Sequence, residues 1–124
     1  MIEQMGEQIV KWCRKEYGKR RHRPVPKIIY LSLPHLGEYD YDNNQIRIDL
    51  KKHIIEEGQL NLHEFTDTVI HEYQHYMQDW RKLYGDVVKK IEGKLEIDYF
   101  EDRAEGVAER DFLSCYEQVI KKIN

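Results

Sequence analysis

The chain has only two cysteines and three prolines in 124 residues, and its formal net charge is just −3. It also has no apolar run near the ~20 residues that a membrane-spanning helix needs. Each shortage excludes something. Cys13 and Cys115 stand 102 positions apart, which gives no disulfide framework; each falls on an expected helix, where a buried reduced thiol is the ordinary state. With no apolar span, and with an opening Met1-Ile2-Glu3-Gln4 that lacks the apolar core of a signal peptide, no membrane association and a cytoplasmic setting are expected. Because 20 Lys and Arg nearly balance 23 Asp and Glu, there is no global attraction to nucleic acid. Internal repeats and low-complexity segments are missing as well.

What is present is enough for one domain over residues 1–124. A hydrophobic fraction of 40%, with nine Tyr and two Trp, fills one core, and the length leaves no room for a second domain of ordinary size. Ile2, Met5, Ile9, Val10, Trp12, Cys13 and Tyr17 follow helical spacing and end near Gly18. Pro24 and Pro26 then set an extended entry into a β-rich run, Lys27 to Leu33. Glu38 to Tyr41, the turn residues Asp42-Asn43-Asn44, and the alternating Gln45 to Leu50 read as a hairpin. The expected class is α+β, with a small antiparallel or mixed sheet between an N-terminal helix and two later ones.

The first later helix carries the most informative residues. From Asn61 to Tyr84 the apolar positions Leu62, Phe65, Val69, Tyr73, Tyr76, Trp80, Leu83 and Tyr84 recur at three- and four-residue steps. Asn61 suits an N-cap with Glu64 in the acidic position of a capping box, and Gly85 suits a stop. Within this helix stands His71-Glu72-Tyr73-Gln74-His75, an HExxH sequence. Residues four apart share a helix face, so both imidazoles can reach one tetrahedral zinc through neutral ring nitrogens. Zinc lowers the pKa of a water it holds to about 7, and the adjacent Glu72 can take the proton as the water attacks a carbonyl. Composition alone yields HExxH in roughly 3% of shuffled chains, so the pentapeptide needs context.

A catalytic zinc usually keeps three protein ligands and one open position. Downstream, Phe100, Ala104, Val107, Phe112, Tyr116, Val119, Ile120 and Ile123 form the apolar stripe of the last helix, and Glu101, Ala104, Glu105 and Ala108 share one edge of it. The small alanines let that helix approach, so that Glu101 can reach the metal. Glu105, one turn on, can accept the other N–H of a ligating imidazole, or can itself be the third ligand.

With these residues the chain resembles the zinc metallopeptidases of the gluzincin type, in which HExxH is followed by a helix reading ExxA[D/E/N]xxA. Small phage and microbial metallopeptidases, and the SprT-like and ImmA/IrrE-like groups, are the nearest comparisons. The resemblance spans about Asn61 to Tyr116. It implies His71, His75 and Glu101 as ligands, Glu72 as general base and Glu105 as a supporting acid; many members carry Asp at the position of Glu105. It also implies a zincin-like fold whose sheet lies against the HExxH helix, with an edge strand open to an extended peptide or protein substrate. The metzincin pattern is absent, because the Gly and third His that it requires after His75 are missing. Nor can the zinc ribbon often appended in SprT-like proteins be built from two cysteines.

Zn2+ is the expected cofactor, although two His and one Glu also hold other divalent ions. Three functions stay open: a zinc peptidase, a regulatory or DNA-associated protease using the basic stretch Lys19 to Arg23, and a non-catalytic binding module. His22, His35, His53 and His63 are expected at the surface or at caps. Tyr84, Tyr99 and Tyr116 are candidates to donate a hydrogen bond to an oxyanion, with core packing as the alternative for each. Substrate preference and oligomeric state are not encoded in any short pattern of this chain.

Overall fold

The computed structural model describes residues 2–55, 58–78 and 96–123, with backbone only for 96–99 and 123. Helix α1, Ile2–Tyr17, buries Met5, Ile9 and Cys13, the stripe expected from its periodicity. It stops where Gly18 adopts a φ of 84°, a conformation that suits glycine, and the Gly18 N–H donates to the Arg14 carbonyl. Three short strands follow: β1 (Lys27–Tyr30), β2 (Gly37–Asp40) and β3 (Gln45–Ile48). β2 and β3 form the expected hairpin, with Asn44 at a φ of 51° in its turn. β1 pairs with β3 in parallel, so the sheet is mixed, in the order β1-β3-β2, and β2 is an edge.

Helix α2, Leu62–Met77, lies at the centre. The Asn61 side chain accepts from the Glu64 N–H, as an N-cap should, but the Asn61 N–H donates to the His53 carbonyl instead of to Glu64, so only half of the capping box forms. The helix ends well before Tyr84. Gln78 has an extended backbone and donates from its side chain to the Phe100 carbonyl, so the helix ends before the stop expected at Gly85; residues 79–95, with Trp80, Leu83, Tyr84 and Gly85, lie outside the described residues.

Helix α3, Glu96–Cys115, packs along α2 more extensively than any other described element does. Ala104 and Ala108 are buried in that contact, so the two small side chains permit the close approach anticipated for them. The chain then widens into one π turn, Tyr116–Ile120, before a last helical turn, Lys121–Ile123; the uninterrupted helical period expected through Ile123 is therefore broken by one extra residue per turn. Trp12 of α1 donates its indole N–H to Gln118 in this turn at 2.9 Å. Cys13 and Cys115 are buried free thiols.

Two tyrosines of α2 fasten the basic stretch. The Tyr73 hydroxyl donates to the Gly18 carbonyl at 2.6 Å, and the Tyr76 hydroxyl donates to the Arg23 carbonyl while accepting from the Arg20 N–H. The Arg23 guanidinium donates to the Tyr39 hydroxyl and the Tyr41 carbonyl and lies 3.9 Å from the centre of the Tyr41 ring. His53, expected at the surface or a cap, is instead fully buried: its ring nitrogens meet the Asp49 carbonyl and the Thr68 hydroxyl at 2.8 and 2.9 Å, which satisfies a polar ring inside the core. Among the described residues no helix is long and apolar enough to cross a membrane.

Candidate metal centre

Consecutive turns of α2 carry His71 and His75 on the side that faces α3, and Glu101 reaches them from the second turn of α3. The Nε2 atoms of the two imidazoles are 3.2 Å apart. Glu101 Oε1 lies 2.6 Å from Nε2 of His75, and Oε2 lies 3.2 Å from Nε2 of His71. All three offer a ligand atom within 4.8 Å of the others, and the group can hold a metal ion. Glu101, not Glu105, is the carboxylate in it.

The hydrogen bonds around His75 identify its tautomer. Gln78 Nε2 donates to the Phe100 carbonyl at 3.0 Å, and since a backbone carbonyl can only accept, the Gln78 amide has one orientation. Its Oε1 then faces Nδ1 of His75 at 2.8 Å, so Nδ1 must carry the hydrogen. In the neutral ring this leaves the lone pair on Nε2, the atom aimed at His71 and Glu101. This orienting role was expected of Glu105, and a helix-terminal glutamine performs it for His75. The only sign in the sequence is a polar residue three positions after His75, on the ligand-bearing face. Burial, then the neighbouring His75, lowers the pKa of His71 despite the nearby Glu101 carboxylate, which favours the neutral imidazole that a metal requires. The His71–Glu101 contact is accordingly that of converging ligands more than of a formed ion pair.

Glu72 is 6% exposed, and its carboxyl is pushed up to about 8, first by burial and then by the charges of Glu101 and Glu38. A divalent cation held by these three residues would oppose the like-charge effects and favour the carboxylate. Glu72 opens into a cleft of about 1050 Å³ that runs between edge strand β2 and helices α2 and α3. Gly37 permits this arrangement: a Cβ there would come within 2.8 Å of Thr68 Cγ2, so the edge strand lies against α2 only because no side chain intervenes.

Glu105 is exposed on the cleft wall, one turn beyond Glu101, and its charge acts on His71. His35, Tyr39 and Tyr41 also line the cleft, a placement that the sequence did not indicate. Of the proposed oxyanion tyrosines, Tyr116 packs edge-on against the His63 ring at 4.3 Å, and Tyr84 and the Tyr99 side chain lie outside the described residues. No family model, curated protein or solved structure matches the chain. The geometry of the cleft therefore carries the functional reading by itself.

Proposed function

We propose that the cleft is the active site of a zinc-dependent peptidase. The observation that carries this reading is the convergence of His71, His75 and Glu101, with the buried Glu72 carboxyl opening into the same cleft. Two imidazoles and a carboxylate fit zinc, with a position left open for water or substrate. When bound, zinc supplies a Lewis acid that polarises a scissile carbonyl and acidifies the attacking water. Glu72 accepts the proton of that water and returns it to the leaving amine. The His75 to Gln78 to Phe100 relay holds one ligand in its lone-pair-inward tautomer. Strand β2, an edge of the described sheet, runs along the cleft, where an extended peptide can add as a further strand.

The test separates binding from catalysis. Glu72→Gln should keep one zinc per chain by elemental analysis and lower peptide cleavage by about 10²–10⁴-fold, the usual contribution of a general base. Zinc retained with cleavage unchanged would remove Glu72 from the mechanism. Zinc retained by wild type with no cleavage across a broad peptide panel would favour a non-catalytic binding module.

A further inference from the structure

The described lining of the cleft includes six of the chain's 23 acidic residues, Glu38, Asp67, Glu72, Glu101, Glu105 and Glu109, and none of its 20 Lys and Arg. Two of these have roles in the reading above: Glu101 as a ligand and Glu72 as the base. Three others form a wall on one side of the ligands. Asp67 lies one turn before His71 on α2, while Glu105 and Glu109 lie one and two turns after Glu101 on the neighbouring α3. Asp67 is close enough to feel both glutamates: burial raises its pKa, His71 opposes the rise, and the charges of Glu64, Glu109 and Glu105 add to it. No ion pair or hydrogen bond with another described residue engages the carboxylate of Asp67, Glu105 or Glu109. Glu72, more than nine-tenths buried, opens into the same cleft, also with no hydrogen-bond partner for its carboxyl among the described residues. Such a surface repels an acidic peptide and is neutralised by a cation.

We infer that this wall recognises a Lys or Arg side chain adjacent to the scissile bond, a substrate preference that rests on the peptidase reading. The dimensions agree. One helical turn is about 5.4 Å, so Asp67 and Glu105 stand within the reach of a lysine or arginine stem from a bond held at the ligands. Leu36 and Tyr41 in the same cleft offer apolar surface to the methylenes. An ammonium or guanidinium among several carboxylates gains charge-assisted hydrogen bonds that a neutral side chain of equal length does not.

The experiment uses N-acetylated, C-amidated peptides differing at one residue beside the cleavage site, Lys, Arg, Gln or Glu, with zinc-loaded wild type and Asp67→Asn/Glu109→Gln. The wild type should favour Lys and Arg over Gln by about tenfold or more in kcat/KM at low salt, with Glu slowest and the ratio shrinking as salt rises. The double variant should bring the ratio close to one, and Glu109→Gln alone, at an exposed position, should move it part of the way. Equal turnover of the Lys and Gln peptides, or a preference that survives the double variant, would overturn the inference. Binding of fluorescent Lys and Gln peptides to zinc-loaded Glu72→Gln separates the two readings. Charge-selective binding without wild-type cleavage would sink the peptidase and keep the recognition; cleavage without selectivity would do the reverse. A calcium titration that saturates at one ion and displaces the Lys peptide would make the wall a cation site and overturn the assignment.

Discussion

Two polar clusters are built around α2, and they differ in whether their hydrogen bonds close. In its first half, Nδ1 of His53 donates to the Asp49 carbonyl, the Thr68 hydroxyl lies between Nε2 of His53 and the Glu64 carbonyl, within hydrogen-bond distance of both, and Asn61 caps the helix. These polar groups have partners from the fold itself. Near its C-terminal end, the Nε2 atoms of His71 and His75 and the Glu101 carboxylate converge on one another. The outer nitrogen of His75 has a fitting partner in Gln78. A closed cluster contributes to folding, because breaking it strands a buried polar group. An open cluster of acceptors gains little in the free chain and much when a cation enters. The same residue type, histidine, thus joins a buried polar network at one end of a helix and a group able to hold a metal ion at the other.

Deleting one imidazole from each cluster breaks this comparison most directly. His75→Ala should abolish stoichiometric zinc binding, and with it the zinc-dependent rise in Tm, while costing the zinc-free protein less than His53→Ala does, since His75 has one fixed partner, Gln78, among the described residues. His53→Ala should do the opposite, costing about 2–4 kcal/mol through a cavity and unpaired neighbours while folded molecules still bind zinc. Urea melts and elemental analysis on both variants decide it, and a His75→Ala protein that unfolds would show the ligand cluster to be structural. A smaller effect sharpens the comparison at its one closed edge. Gln78→Leu removes the acceptor that holds His75 Nδ1–H and should weaken zinc affinity by about 10–100-fold. Gln78→Glu restores an acceptor without the bond to Phe100 and should recover part of the loss. Competition with a chelator of known affinity measures both, and an unchanged affinity in Gln78→Leu would remove the relay from the account.

The smallest expected effect lies away from both clusters. Asp111 accepts from Arg110 and from the Tyr17 hydroxyl, a contact of 2.7 Å that ties α1 to α3. These bonds, Arg110 first, hold its carboxyl below the ordinary value of 3.8. A depressed carboxylate pKa contributes stability above the unfolded value that is lost as pH falls through the folded one. Asp111→Asn should therefore flatten the acid end of a stability profile, by less than about 1 kcal/mol because the pair is partly solvated. Urea midpoints of both proteins from neutral pH down through the carboxylate range test this; parallel curves would contradict it.

Much of the fold was legible in local pattern. The periodicity of α1, the hairpin turn at Asp42 to Asn44, the Asn61 cap and the alanine edge of α3 are each encoded within a few residues, and local encoding is what a sequence exposes. Where tertiary partners intervened, the reading slipped. Helix α2 stops at Met77, where the Gln78 side chain bridges His75 and Phe100, and the last helix widens into a π turn between Cys115 and Lys121. His53 showed no spacing that marked it as buried, because the groups that satisfy it arrive from Asp49 and from Thr68 on another element. The acidic wall escaped notice for the same reason, since Asp67 and Glu109 meet only when two helices pack.

The sequence by itself determined the chemistry on offer. A four-residue separation on a helix sets two imidazoles side by side whatever surrounds them, and HExxH with a downstream ExxAE names the ligand types and their order along the chain. Only the tertiary structure decided that Glu101 and not Glu105 joins His71 and His75, that Gln78 sets the tautomer of His75, and that an edge strand and a row of carboxylates share one cleft with them. Those outcomes depend on the angle and depth at which α3 lies on α2, fixed by buried Ala104 and Ala108, and on Gly37 letting β2 touch Thr68. Such contacts between distant segments leave no period in a sequence, because packing selects them by shape and not by spacing.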